Sequence, residues 1–285
     1  MLTLTSIEMN TWIASLLWPL TRILGLVTAA PLFGNKSFPV SAKVGMGVLL
    51  ALIIAPTVPA LPAADPLSMA GVLILAQELL IGVAMGFSMR IVFAAVEMAG
   101  EICSMTMGLG FATVFDPLSR GRSSAVSQFV ALIGTLAFLS VNGHLLLLEV
   151  LAESFVSLPI SATPISGSMS LQVVRWASII FSTGLQLSLP IVAALLVTTV
   201  ALGILTRAAP QLNIFGIGFP ITLGVGLLLL SQTIPYLSGP LQNLFNQGLE
   251  ASRSLPRAAF ERAPPKAPVV APRVPPLVPA PQPGP

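Results

Sequence analysis

The sequence predicts an all-α, polytopic membrane protein, and three observations carry that prediction. Of its 285 residues, 55% are hydrophobic and 8% charged, whereas a soluble domain carries about 25% charged residues. A globule so poor in charge lacks the polar surface to stay in solution, so a bilayer or an apolar partner must cover it. Six apolar stretches, at 12–34, 44–61, 70–100, 126–156, 172–206 and 214–238, reach or approach the roughly 20 residues that cross a hydrocarbon core. The joints between them are short and rich in turn residues, which places consecutive helices side by side.

The first stretch has no Lys or Arg ahead of Trp12. A secretory signal needs a positive n-region and a short apolar run, so 12–34 is expected as a retained membrane helix, interrupted by Pro19 and Pro31. The second is weakened by Pro56 and Pro59. Lys36 and Lys43, Arg120 and Arg122, and Arg207 mark alternate joints, which the positive-inside rule assigns to the cytoplasm. The N-terminus is then outside. A cytoplasmic basic tail further requires one stretch, 44–61 or 214–238, to be less than a full crossing.

The third stretch carries most of the chemistry. Arg90, Glu97 and Glu101 follow one another at seven and four residues, so they share a helix face. Two carboxylates four apart repel and call for a cationic neighbour. The set reads as a relay or a partner-binding ion pair, or, with more weight, as a structural network in a helix bundle. Arg22 and Glu78 are further ionisable groups inside apolar stretches, where an unpaired charge costs about 2.5–3.5 kcal/mol. Broken helices and such charges are tolerated where they face protein or a water-filled path. Gly82 and Gly86 form a small-xxx-small pair that allows close helix approach.

After this helix comes Met105-Thr-Met107-Gly108-Leu-Gly110-Phe111-Ala-Thr-Val-Phe115-Asp116-Pro117. The glycines break the helix and Asp116-Pro117 stops any continuation. Sealing methionines and phenylalanines on non-helical backbone fit a gasket in a pore; they fit an apolar re-entrant loop equally well. The pair Gly108-Leu-Gly110 lacks the context of a nucleotide fingerprint.

The fourth stretch holds the single histidine, His144. Without Cys or carboxylate neighbours it is expected to be a hydrogen-bonded core residue rather than a metal ligand. The lone cysteine, Cys103, is read as a small buried hydrophobe. The last two stretches meet at Arg207-Ala-Ala-Pro210-Gln211-Leu-Asn213, a helix stop with polar side chains able to cap exposed backbone, followed by a restart loosened by Gly218 and Pro220. From about Ala251 the composition turns to Pro and Ala with five of the thirteen basic residues. The folded domain is therefore placed at 1–250 and a disordered basic tail at 251–285. No nucleophile–base pair, HExxH, GxSxG or Walker pattern occurs, so neither catalysis nor a cofactor nor a metal is expected. The net charge of +3 is scattered along apolar edges, which suits lipid headgroups and not nucleic acid.

Four runs carry a family resemblance: WPLTRILGLVTAAPLFG at 18–34, MGLGFATVFDP at 107–117, NGHLLLLEVLAESFVSLPI at 142–160 and RAAPQLNIFGIGFPI at 207–221. Their order and spacing resemble the FliR family, in its flagellar branch. The resemblance implies a subunit of the flagellar type III export gate in the bacterial cytoplasmic membrane, at the flagellar basal body. One copy would assemble with FliP- and FliQ-type proteins into a pore for unfolded flagellar proteins, with an FlhB-type protein at the cytoplasmic entrance. It also implies an apolar plug at Gly108–Asp116, with Phe111, Phe115 and the neighbouring methionines sealing the pore. The rival reading is a secondary transporter with discontinuous helices, which would show an internal repeat; none is visible here. An intramembrane enzyme would need the nucleophile–base pair that is missing.

Overall fold

The computed structural model describes residues 6–35, 37–59, 62, 64–111, 124–163, 168–209 and 214–258. Among them there is no strand. The nine α-helices among the described residues are α1 Ser6–Ala29, α2 Val40–Ile54, α3 Met69–Thr106, α4 Ala125–Ser140, α5 Gly143–Ser157, α6 Ser168–Ala177, α7 Ile179–Ala208, α8 Phe219–Thr233 and α9 Ser238–Ala258. Five helical stretches are long and apolar enough to cross a membrane, or six if the bent α4–α5 pair is one span.

Helix α3 is the axis of the molecule. Ser68 starts it by accepting a hydrogen bond from the Gly71 backbone N–H at 3.1 Å, which satisfies one of the donors every helix start leaves open. Its 38 residues extend for about 57 Å at 1.5 Å per residue, nearly twice the hydrocarbon thickness. Around it pack α1, α4, α7 and α9.

Apolar side chains gain little by leaving lipid for protein, so close backbone approach has to supply the attraction. Small residues permit it here. A Cβ on Gly82 would land on the Arg22 carbonyl oxygen, and one on Gly86 would lie 2.6 Å from the Leu26 oxygen. Gly25 answers from the other helix, 2.8 Å from the Leu79 oxygen. Residue numbers rise together along this seam, so α1 and α3 run in the same direction with α2 between them in the chain. On the opposite flank Phe93, Phe138 and Phe245 join α3, α4 and α9, with ring centroids 5.2–6.0 Å apart, a spacing aromatic pairs favour.

Three segment boundaries differ from the sequence expectation. The stretch 126–156 is two helices bent by 64°. The corner is Asn142, at φ 55, a left-handed conformation that asparagine tolerates better than other residues with a side chain. Gly143 follows, where any side chain would strike the Phe138 ring. The stretch 172–206 breaks at Ser178 between α6 and α7. The last stretch does not end at 238: after a 3₁₀ turn at Ile234–Leu237, α9 continues to Ala258, past the boundary placed at 250. Periodicity explains the extension, because Leu241, Leu244, Phe245, Leu249, Ser252 and Leu255 are all buried on one stripe.

Burial is uneven. Of the apolar window in α3, 67% is buried, against 11% for the one covering 169–208. Phe181, Leu196, Val197, Val200 and Ile204 on α7 are exposed.

Candidate functional site

Arg22 and Glu78 meet at the centre of the bundle because the glycine seam brings α1 and α3 together. The Arg22 Nε–H donates to Glu78 Oε2 at 2.6 Å and Nη2 to Oε1 at 3.0 Å. The outer side of the guanidinium turns to the end of α5. Nη1 donates to the Ser154 carbonyl at 3.0 Å and to its Oγ at 3.1 Å, and Nη2 donates to the Leu158 carbonyl at 3.0 Å. All five guanidinium hydrogens are thus matched. The Ser154 carbonyl also accepts the Leu158 N–H at 2.9 Å, and Leu158 is the C-cap of α5, the end of the helix that carries partial negative charge. The Phe155 ring lies against the guanidinium, 4.4 Å from centroid to carbon, a cation–π contact. Arg22 is fully buried and Glu78 is 2% exposed. A buried pair survives only with such complete satisfaction, so this clamp holds α1, α3 and α5 at one level. The sequence marks Arg22 and Glu78 separately. Nothing in it marks Ser154 and Leu158, which lie 132 and 136 residues from Arg22.

The expected plug begins where α3 stops. The Met107 N–H still bonds to the Cys103 carbonyl at 2.9 Å, and the Gly108 N–H to Met105 at 3.1 Å. Gly108 then turns left-handed at φ 88, the glycine C-cap geometry that ends a helix. A 3₁₀ turn follows at Leu109–Phe111. The two methionines part company. Met107 is fully buried, with Gly226 of α8 bare beneath its side chain, while Met105 is 62% exposed. The Thr222 hydroxyl lies 3.4 Å from the Met107 carbonyl, so the helix stop rests on α8. Among the described residues, an added Cβ on Gly110 would meet Met105 Cγ at 4.0 Å. The side chain of Phe111, and Phe115, Asp116 and Pro117, lie outside the described residues, as do Pro210, Gln211 and Asn213.

The network expected of Arg90, Glu97 and Glu101 is absent among the described residues. Glu101 instead accepts the Ser124 N–H at 3.2 Å, at the N-terminus of α4 where partial positive charge favours a carboxylate. Arg90 and Glu97 are exposed, and neither forms an ion pair with another described residue. Arg207 is exposed in the last turn of α7, where a cation suits the helix dipole. Gly82 and Gly86 lie in the α1–α3 seam. Gly218, at φ −64 and ψ −47, uses no glycine-specific conformation; it closes a π-turn at Ile214–Gly218. Pro220 sits in the first turn of α8, where its missing N–H costs nothing. His144 departs from the expected hydrogen-bonded residue: its Nδ1 is buried without a partner among the described residues. Cys103 is buried, 3% exposed.

Long apolar helices around an internal charge clamp, with a glycine-terminated axis helix, define a polytopic helical membrane protein. The sequence profile described as "Bacterial export proteins, family 1" matches residues 13–248, and the chain belongs to that family. It is 43% identical to the flagellar biosynthetic protein FliR of Pectobacterium carotovorum, over 87% of this chain and 94% of the relative. Against FliR of Escherichia coli K12 the identity is 39% over the same shares. Against FliR of Bacillus subtilis it is 30%, over 82% of this chain and 91% of the relative.

Proposed function

We propose that the chain is a non-catalytic subunit of the flagellar type III export gate in the bacterial cytoplasmic membrane. With FliP- and FliQ-type subunits it forms a pore for unfolded flagellar proteins, and an FlhB-type protein engages the cytoplasmic side. The segment from Met105 to Pro117 is the plug. The observation that carries the plug assignment is the way α3 ends: Met107 is anchored under α8, Gly108 reverses the backbone, and the apolar chain leaves from that fixed point. A seal needs a rigid root and a soft apolar end, because a dewetted constriction blocks ions without a specific ligand. The uneven burial supports subunit status, since α7 and α8 leave most of their apolar surface to lipid or to neighbouring helices. The family match ends at residue 248, and we place the export-gate unit at 1–250, with the last turns of α9 and the Pro/Ala-rich residues after them extending beyond it.

Deleting Gly110–Phe115 tests the assignment. Co-purification of FliP- and FliQ-type partners reports assembly, and ion leak in whole cells reports the seal. A rise in leak with assembly intact is expected. Intact assembly with unchanged leak and normal export would make the segment packing and not plug.

A further inference from the structure

Arg90 and Glu97 stand apart from the clamp. With Phe93, Asn35 and Thr135 they line a cleft of about 350 Å³ between α3, α4 and the turn after α1. The neutral polar groups turn in part to the backbone: Thr135 Oγ1 donates to the Ala131 carbonyl at 2.9 Å, and Asn35 Oδ1 accepts the Ser37 N–H at 2.9 Å. Among the described residues the two charges are not paired. None of the ion pairs among the described residues includes either of them. Seven residues separate them along one face, about 10 Å of helix rise, too far for a direct pair.

We propose that this cleft docks a helix of a neighbouring subunit, carrying an acidic side chain opposite Arg90 and a basic one opposite Glu97, two turns apart. The proposal rests on the reading of the chain as one subunit of a larger assembly. An anionic lipid headgroup would satisfy Arg90 and be repelled by Glu97. Hydrocarbon would satisfy neither, at a cost of several kcal/mol. Water alone fits poorly between the flanking apolar surfaces of Phe93, Pro31 and Leu32. A helix with the opposite order of charge satisfies both groups, and ordered charge of this kind fixes partner and register.

The test uses the full chain in membranes with its natural partners. A photoreactive residue at Ala94, in the wall between the two charges, should crosslink to a second polypeptide. Mass spectrometry should map the adduct to a helical segment with an acid and a base seven residues apart. The double exchange R90E/E97R keeps composition and net charge and inverts only their order. It should cut the adduct at least tenfold at equal chain abundance, and R90Q and E97Q should each lower it in part. Absence of an adduct, or an adduct to a segment lacking those charges, overturns the proposal. So does a charge exchange that behaves like the parent, or sensitivity to R90Q alone, which is the headgroup result. The crosslink in the unexchanged chain needs no charge variant to fold. A lost plug phenotype with the adduct retained would sink the export reading and leave this interface standing; the reverse pattern would do the opposite.

Discussion

At the Arg22 clamp, removing one partner is worse than removing both. Arg22→Ala leaves Glu78 buried without its counter-charge, and Glu78→Ala leaves a buried guanidinium bonded only to α5. Each should cost about 3–5 kcal/mol, read as a lowered melting temperature of the purified protein and faster proteolysis. The double change Arg22→Met with Glu78→Leu should recover much of that loss, because two apolar side chains leave no uncompensated charge. A double variant no more stable than the singles would refute this account of the clamp. Gly108 is a second residue-scale case. At φ 88 a Cβ is strained by about 1–2 kcal/mol, so Gly108→Val should disturb the helix stop. Gly108→Asn should disturb it less. Ion leak in cells ranks the two against the parent.

Helix pairs obey a different rule, set by how near two backbones come. Gly82→Ala would place a methyl on the carbonyl oxygen of Arg22, so α1 and α3 must separate and the clamp must stretch. Gly45, on α2, has nothing among the described residues within 4 Å of an added Cβ, and Gly45→Ala is the matched control. The expected outcome is a clear fall in thermal stability and assembly for the first and none for the second. Equal behaviour would mean that the seam is not close-packed. The α4–α5 corner is likewise local chemistry: Asn142→Gly should be tolerated, while Asn142→Val, β-branched at φ 55, should lower stability by more than 1 kcal/mol, the order of cost for a left-handed non-glycine residue.

The molecule as a whole is unfinished by itself. A buried axis at α3 and a bare hairpin of α7 and α8 belong together in a protein completed by its surroundings. Exposed apolar side chains such as Val197 and Ile204 have to be covered by lipid or by neighbouring subunits. Val197→Cys should therefore stay unlabelled by a charged maleimide in intact membranes, given that native Cys103 is itself buried. Rapid labelling there would place α7 against water and contradict the membrane-covered reading of that face.

The sequence by itself determined the class. Charge scarcity and long apolar runs dictate a helical membrane protein, because lipid leaves the backbone no other way to satisfy its hydrogen bonds. Local signals were legible for the same reason: Gly82 and Gly86 lie one turn apart, and Gly108 closes a long, mostly apolar run. Only the tertiary structure decided who answers whom. The partners of Arg22 include carbonyls more than 130 residues away, and backbone acceptors carry no residue signature that spacing could reveal. Sharing a helix face with Glu101 does not bind Arg90 and Glu97 into a network among the described residues, because Glu101 has the start of α4 within reach and they line a cleft. Periodicity gives the face of a helix; what stands opposite that face is settled by the packing of the whole chain.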